Sequence, residues 1–361
     1  MVLHDLINNE LRSRPGILGN AGTGIVKGDD TMLDFNSILG HESIKQHLKA
    51  AIASGKPSHA YIFNGEEGSG RKTTAEAFAA ALCCQSQDDS IKPCGMCMAC
   101  MQAASHNHPD IIHITHEKSR IGVDDIRNTL IDDIAIKPFS APFKIYIMDE
   151  AERMTEQAQN ALLKTLEEPP AYAVIILITT NTGAFLQTIL SRCITLQFKP
   201  LPNKLITDYL MTHEKLPDYF AKLCASFSGG SLGQALKFTK NSEFEQIKNE
   251  VLELMRNIDS ISIDAVSDAV ADLSTKKTDI NTYIGLMHLW FRDILMFKAT
   301  QDANRLVFLD ELMTIKRQAS KYGFESLGRI LDAFYTLQDR LNANVNFDTA
   351  MQLLFLNMRE H

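Results

Sequence analysis

The chain reads as an α/β protein: a parallel sheet built around a phosphate-type loop, followed by a region of helices alone. Three observations predict this. Short apolar runs alternate with amphipathic stripes from Asp34 to Phe198, the pattern of strands covered by helices on both faces. The glycine-rich stretch Gly65-Glu-Glu-Gly-Ser-Gly-Arg-Lys-Thr73 lies between one such run and one such stripe. Beyond Pro202 the strand signals vanish and helical patterns remain.

The elements follow in order. Residues 1–31 carry Gly16, Gly19, Gly22 and Gly24 without periodicity and are expected to be a flexible leader, with Met32 a candidate natural start. Ile44, Leu48 and Ile52 share one helical face, and Ala60–Phe63 is the strand ahead of the loop. Ala75, Phe78, Ala79 and Leu82 mark the helix after it. Past a cysteine-rich insertion, Ile111–Ile114 reads as a strand, and Val123, Ile126, Leu130 and Ile134 as the apolar side of a helix. Lys144–Met148 is a buried strand ending in Asp149-Glu150; Ala158, Leu162 and Leu166 mark the next helix. Ala173–Ile178 is another strand, and Ile194, Leu196 and Phe198 alternate as the last, stopped by Pro200 and Pro202. Three further helical stripes follow: Phe244, Ile247, Val251, Met255; Ile284, Met287, Phe291, Ile294, Leu295; and Leu327, Ile330, Leu331, Phe334, Leu337, Leu341. The expected division is residues 1–31, 32–200 with a metal module at 83–101, a helical lid at 201–241, and an all-helical domain at 242–361.

Composition narrows the function. At 361 residues two or three domains are expected, and 45% hydrophobic with 22% charged residues marks a soluble globular chain. No apolar run could span a bilayer and no signal layout opens the chain, so the cytoplasm is the expected compartment. A net charge of −8 suits neither a protein that grips DNA by itself nor a zinc-dependent nucleic-acid module.

The chemistry-bearing residues come in four groups. In the loop, Gly65, Gly68 and Gly70 would let backbone N–H groups crowd a nucleotide's phosphates. A lysine and then a serine or threonine should follow Gly70, for phosphate and magnesium. Arg71 and Lys72 stand there instead. An ammonium occupies the place of a magnesium ligand, and only a loop longer by one residue would let Lys72 and Thr73 serve. The pocket is therefore expected to be spoiled, with ATP and magnesium doubtful in it. Asp149 and Glu150 end a strand as an acidic pair does in phosphate-loop ATPases, the Asp orienting magnesium and the Glu the attacking water; such a pair also suits a helix start. Cys94-x2-Cys97-x2-Cys100, with Cys84 upstream across nine intervening residues, offers four thiolates to a structural Zn²⁺. Cys83 rivals Cys84, while Cys193 and Cys224 are expected to be plain buried thiols. Arg192, in Leu190-Ser-Arg-Cys193, is either a surface ion-pair residue or an arginine finger acting in trans.

Taken together, these motifs resemble a known family. His59-Ala-Tyr-Ile-Phe63, the loop, Cys94-Gly-Met-Cys-Met-Ala-Cys100, Asp149-Glu-Ala-Glu152, Leu166-Glu-Glu-Pro-Pro170 and Thr188-Ile-Leu-Ser-Arg-Cys193 occur in the order found in the clamp-loader subunits of bacterial DNA polymerase III, members of the AAA+ class. The resemblance spans about residues 33–240 and, more loosely, Leu341-Asn-Ala-Asn-Val-Asn346 and the helix after it. It implies an AAA+ domain with a zinc insertion, a lid, and a helical collar that joins subunits in a ring. The gamma/tau branch hydrolyses ATP; the delta-prime branch is a stator that offers its Ser-Arg-Cys arginine to a neighbour. Gly233 stands where motors carry a second sensing arginine, and Thr179-Thr180 match the first sensor region. The resemblance thus implies a stator without ATPase activity of its own, with Arg192 as finger and Asp149 and Glu150 retained from ancestry. Its partners would be gamma/tau and delta, and, through the complex, the sliding clamp and primed DNA.

Overall fold

The computed structural model describes residues 34–114, 120–240, 242–276, 280–342 and 345–359. The expected leader lies outside them, as do Ala343 and Asn344 of the 341–346 motif. The chain divides into two compact units. Of the described residues, one holds those from 34 to 205 with 230–234; the other holds 206–229 and those from 235 to 359.

The first unit is a five-stranded sheet, every pairing parallel, in the order β2-β3-β4-β1-β5. The strands are β1 (Ala60–Gly65), β2 (Ile111–Ile114), β3 (Lys144–Met148), β4 (Ala173–Thr179) and β5 (Ile194–Phe198). The apolar runs are continuous because both faces are covered. Tyr61, Phe63, Ile145, Ile147, Val174, Ile176 and Ile178 pack on one side with α1 (Glu42–Ser54) and α2 (Arg71–Cys83). Ala60, Ile62, Tyr146, Met148, Ile175 and Leu177 pack on the other with Leu162 and Leu166 of the helix Glu156–Glu167. The expected helix over 123–134 is not one regular helix. It runs as α-helix over Val123–Ile126 and widens to a π-turn over Arg127–Ile131, although Ile126, Leu130 and Ile134 are all buried as the pattern required. Between α2 and β2 lies α3 (Met98–Ala104).

In the second unit the three apolar stripes face inward. Phe244, Val251, Met287, Phe291, Leu327 and Phe334 are buried. Phe244 sits 5.7 Å from the Phe227 ring and 4.9 Å from that of Phe238. Trp290 is fully buried and its indole N–H donates to Gln318 Oε1 at 2.8 Å, while Gln318 Nε2 donates to the Met255 carbonyl. Among the described residues no helix is long and apolar enough to cross a membrane.

One buried carboxylate anchors the approach to β3. Asp110, 1% exposed, accepts the backbone N–H groups of Phe139, Ser140 and Ala141 and the Ser140 hydroxyl. Burial works against its charge, but these donors prevail and hold its pKa below the ordinary carboxylate value. Its contribution is therefore present above the unfolded value, about 3.9, and lost as pH falls through the folded one. Asp110→Ala strands three N–H groups and should cost about 3 kcal/mol in urea unfolding at neutral pH. That difference should shrink in acid; a penalty independent of pH would assign it to packing.

Candidate functional site

β1 delivers the chain into the glycine loop. Gly65 lies so close to β5 that a Cβ there would stand 2.7 Å from that of Phe198. The turn passes through Gly68 (φ 76°) and Gly70 (φ 89°), left-handed positions that glycine alone takes freely, and Arg71 is at once the first residue of α2. Gly70 caps that helix, so the loop contains no extra residue that would bring Lys72 and Thr73 into the working positions.

The first helical turn separates its cations. Arg71 is 8% exposed; burial lowers its pKa, and the charges of Glu152, Asp149, Glu66 and Glu67 work the other way. Lys72 and Thr73 are exposed. Lys72 Nζ lies 3.4 Å from Asp149 Oδ2, while Asp149 Oδ1 accepts the Glu150 N–H at 3.0 Å. Glu150 adopts a left-handed backbone (φ 50°) and pairs with Arg153 at 2.9 Å. Thr180, at the end of β4, donates its hydroxyl to Glu152 Oε1 at 2.7 Å. Burial disfavours the Glu152 charge, but this bond and its neighbours hold its pKa down. The structure thus brings loop, acidic pair and Thr180 to one end of the sheet.

Two features of this end were missed in the sequence. Glu66 and Glu67 place two carboxylates in a turn meant for phosphate, and residues 230–234 are tied to that turn. Gly233 N–H donates to the Gly68 carbonyl at 2.9 Å, and the Ser231 hydroxyl to the Glu67 carbonyl at 2.8 Å. A Cβ on Gly233 would meet Gly68 Cα at 2.7 Å and its oxygen at 2.9 Å. The glycine there is a condition of close packing, and the run Gly229-Gly-Ser-Leu-Gly233 was the available signal.

Arg192 lies at the other end of the sheet. β5 pairs with β1 from Tyr61↔Ile194 to Gly65↔Phe198, so the residues before Ile194 stand about 13 Å of strand away from the level of the loop. There Arg192 Nη2 meets Glu167 Oε1 at 2.8 Å and Nη1 donates to the Thr188 carbonyl at 3.0 Å.

The cysteines converge. Ligand atoms of Cys84, Cys94, Cys97 and Cys100 lie within 4.8 Å of one another, with Cys94–Cys100 and Cys97–Cys84 sulfur pairs at 4.0 Å. Four thiolates on one tetrahedral ion at ~2.3 Å would stand about 3.8 Å apart. Backbone N–H groups of Met96 and Cys97 pull the Cys94 thiol down to about 6, whereas burial pushes those of Cys84 and Cys100 up. Cys83, 2% exposed, belongs to the sheet core and burial pushes its thiol up. Cys224 is buried and Cys193 partly so.

A family model described as "DNA polymerase III, delta subunit" matches residues 40–202. The chain is 29% identical to DNA polymerase III subunit delta' of Bacillus subtilis, over 87% of this chain and 94% of that protein. It is also 29% identical to subunit tau of the same organism, over 73% of this chain but half of that protein. With subunit tau/gamma of Haemophilus influenzae it shares 34% identity over 64% of this chain and 34% of the relative. Among solved structures, a gamma subunit-related protein of Thermotoga maritima aligns over 87% of this chain and 98% of its own, at 20% identity and a TM-score of 0.38. The chain is thus similar to the delta' subunit over most of its length and to gamma/tau subunits over a part of theirs.

The contact of Gly233 with the loop is backbone on backbone, so no side chain can yield to a methyl group. Gly233→Ala should destabilise the first unit by about 1–3 kcal/mol and speed amide exchange at Gly68–Gly70. Unchanged exchange would mean that the contact does not hold the loop.

Proposed function

We propose that this chain is a clamp-loader subunit of bacterial DNA polymerase III of the delta-prime kind. It would act as a stator that hydrolyses no ATP itself and completes the ATP site of a neighbouring gamma/tau motor. With gamma/tau and delta it would form a hetero-oligomeric ring in the cytoplasm, and through that ring help to place the sliding clamp on primed DNA. Its parts would be an AAA+ domain at 32–200 with the zinc module 83–101, a lid at 201–241 and a collar at 242–361.

The observation that carries this reading is the Lys72–Asp149 ion pair. In a working phosphate loop a hydroxyl and this aspartate hold Mg²⁺ between them. Here the aspartate faces an ammonium, and a divalent cation brought between them would be repelled at close range. Burial withdraws the Arg71 guanidinium from a phosphate, and the carboxylates of Glu66 and Glu67 add negative charge to the turn. Arg192 supports the second half of the proposal. At the opposite end of its own sheet it is remote from its own loop, and once released from Glu167 it would be free to serve a neighbour.

Two outcomes are expected. The purified chain should bind Mg-ATP weakly or not at all and turn none over; turnover abolished by Lys72→Ala would make it a motor instead. In the assembled complex, Arg192→Ala should leave assembly intact and lower the DNA-stimulated rate at the site it serves by about a thousandfold. An unchanged rate would remove Arg192 from the reaction.

The cysteine cluster fits a structural zinc ion, since four thiolates close a tetrahedral shell and leave no position for a substrate. Metal analysis should return about one Zn²⁺ held by thiolate, and the double substitution Cys94→Ser, Cys97→Ser should release it. Retention would exclude this ligand set.

A further inference from the structure

A second group of ligating side chains lies apart from the cysteines. Glu76 of α2, His106 just past α3, and His113 of β2 bring one ligand atom each to within 4.8 Å of the others. The His106 Nδ1 and His113 Nε2 atoms are 3.5 Å apart, the rings edge to face with centroids at 5.0 Å. Two imidazole nitrogens on one tetrahedral ion at about 2.05 Å would be separated by about 3.3 Å. A hydrogen bond between the rings, one donating and one accepting, is the other account of that distance.

The backbone at His106 is the second observation. It follows the last turn of α3 with φ 55°, the left-handed position where helices usually end in glycine. Its N–H donates to the Ala103 carbonyl and that of Asn107 to Gln102, so the turn is an ordinary helix stop that glycine would make without strain. A histidine held there, aimed at a second histidine from a separate strand and a half-buried carboxylate from a separate helix, is a side chain retained against local preference.

We infer that Glu76, His106 and His113 form a metal site that takes one divalent transition ion of the zinc class, through two imidazole nitrogens and a carboxylate oxygen. Three protein ligands of this type leave one position to water or an outside donor, unlike the closed thiolate cluster. The ion would join the phosphate-loop helix, the end of the cysteine module and the edge strand. Lys72, one helical turn before Glu76, opposes the added charge; its pairing with Asp149 at 3.4 Å offsets it.

The test is metal stoichiometry of the full chain, by equilibrium dialysis against Zn²⁺ and elemental analysis, with His106→Gly as the principal variant. Glycine suits that backbone better than histidine, so loss of metal in it cannot be laid to misfolding. The wild type should hold one more ion per chain than His106→Gly, and Glu76→Gln should weaken that ion at least tenfold. A Co²⁺ spectrum should show two environments in the wild type and only the thiolate type in His106→Gly. Equal stoichiometry in wild type and His106→Gly would overturn the proposal and leave two histidines bonded to each other.

Discussion

The direction of a parallel sheet decides what this molecule can present, and where. All strands leave at the same end, so β1 and β3 must release the glycine loop and Asp149 side by side, with β4 between them bringing Thr180. The same rule sends the segment before β5 to the far end, because Ile194 is in register with Tyr61 near the start of β1. Arg192 is thereby held away from the chain's own loop. Burial of both faces of the strands, with alternate residues feeding two separate cores, enforces that geometry.

Most of the sheet was legible because its strands are buried on both sides and so read as unbroken apolar runs between helical stripes. Where reading failed, the cause was local. The 123–134 segment has the right apolar spacing, yet the Asp132 N–H reaches back five residues to the Arg127 carbonyl, and the Thr129 hydroxyl bonds the Asp125 carbonyl. Hydroxyl groups that compete for helix carbonyls are one way a regular turn is lost. The preference for Cys84 over its rival Cys83, one residue away at a helix end, agrees with the cluster that the fold assembles. Cys83 closes α2 facing the core, and Cys84, in extended backbone just beyond, turns to the other thiols.

Other parts of the site were illegible for a different reason: their partners are far apart in the chain. The Gly233 contact with Gly68 and the Arg192 pair with Glu167 exist only after β-strands and helices have been laid side by side. The cluster of Glu76, His106 and His113 is of the same kind, since it draws on a helix, a turn and an edge strand. The cysteines were legible because three of them lie within one short turn of chain, where spacing alone implies convergence.

The intact Asp149-Glu150 pair is the feature that an ATP-hydrolysing motor would need, and its contacts weaken that argument. Asp149 engages Lys72 with one oxygen and the Glu150 N–H with the other. Glu150, in a left-handed turn that its backbone must hold against preference, is pinned by Arg153. Each carboxylate therefore has a partner that needs no magnesium. Replacing Lys72 by a small hydroxyl residue would free Asp149 for a cation, yet Arg71 would remain buried, two glutamates would still stand in the loop, and Gly233 would still lie against Gly68. One substitution does not restore such a loop. The pair can thus persist without magnesium, as local structure at the end of β3.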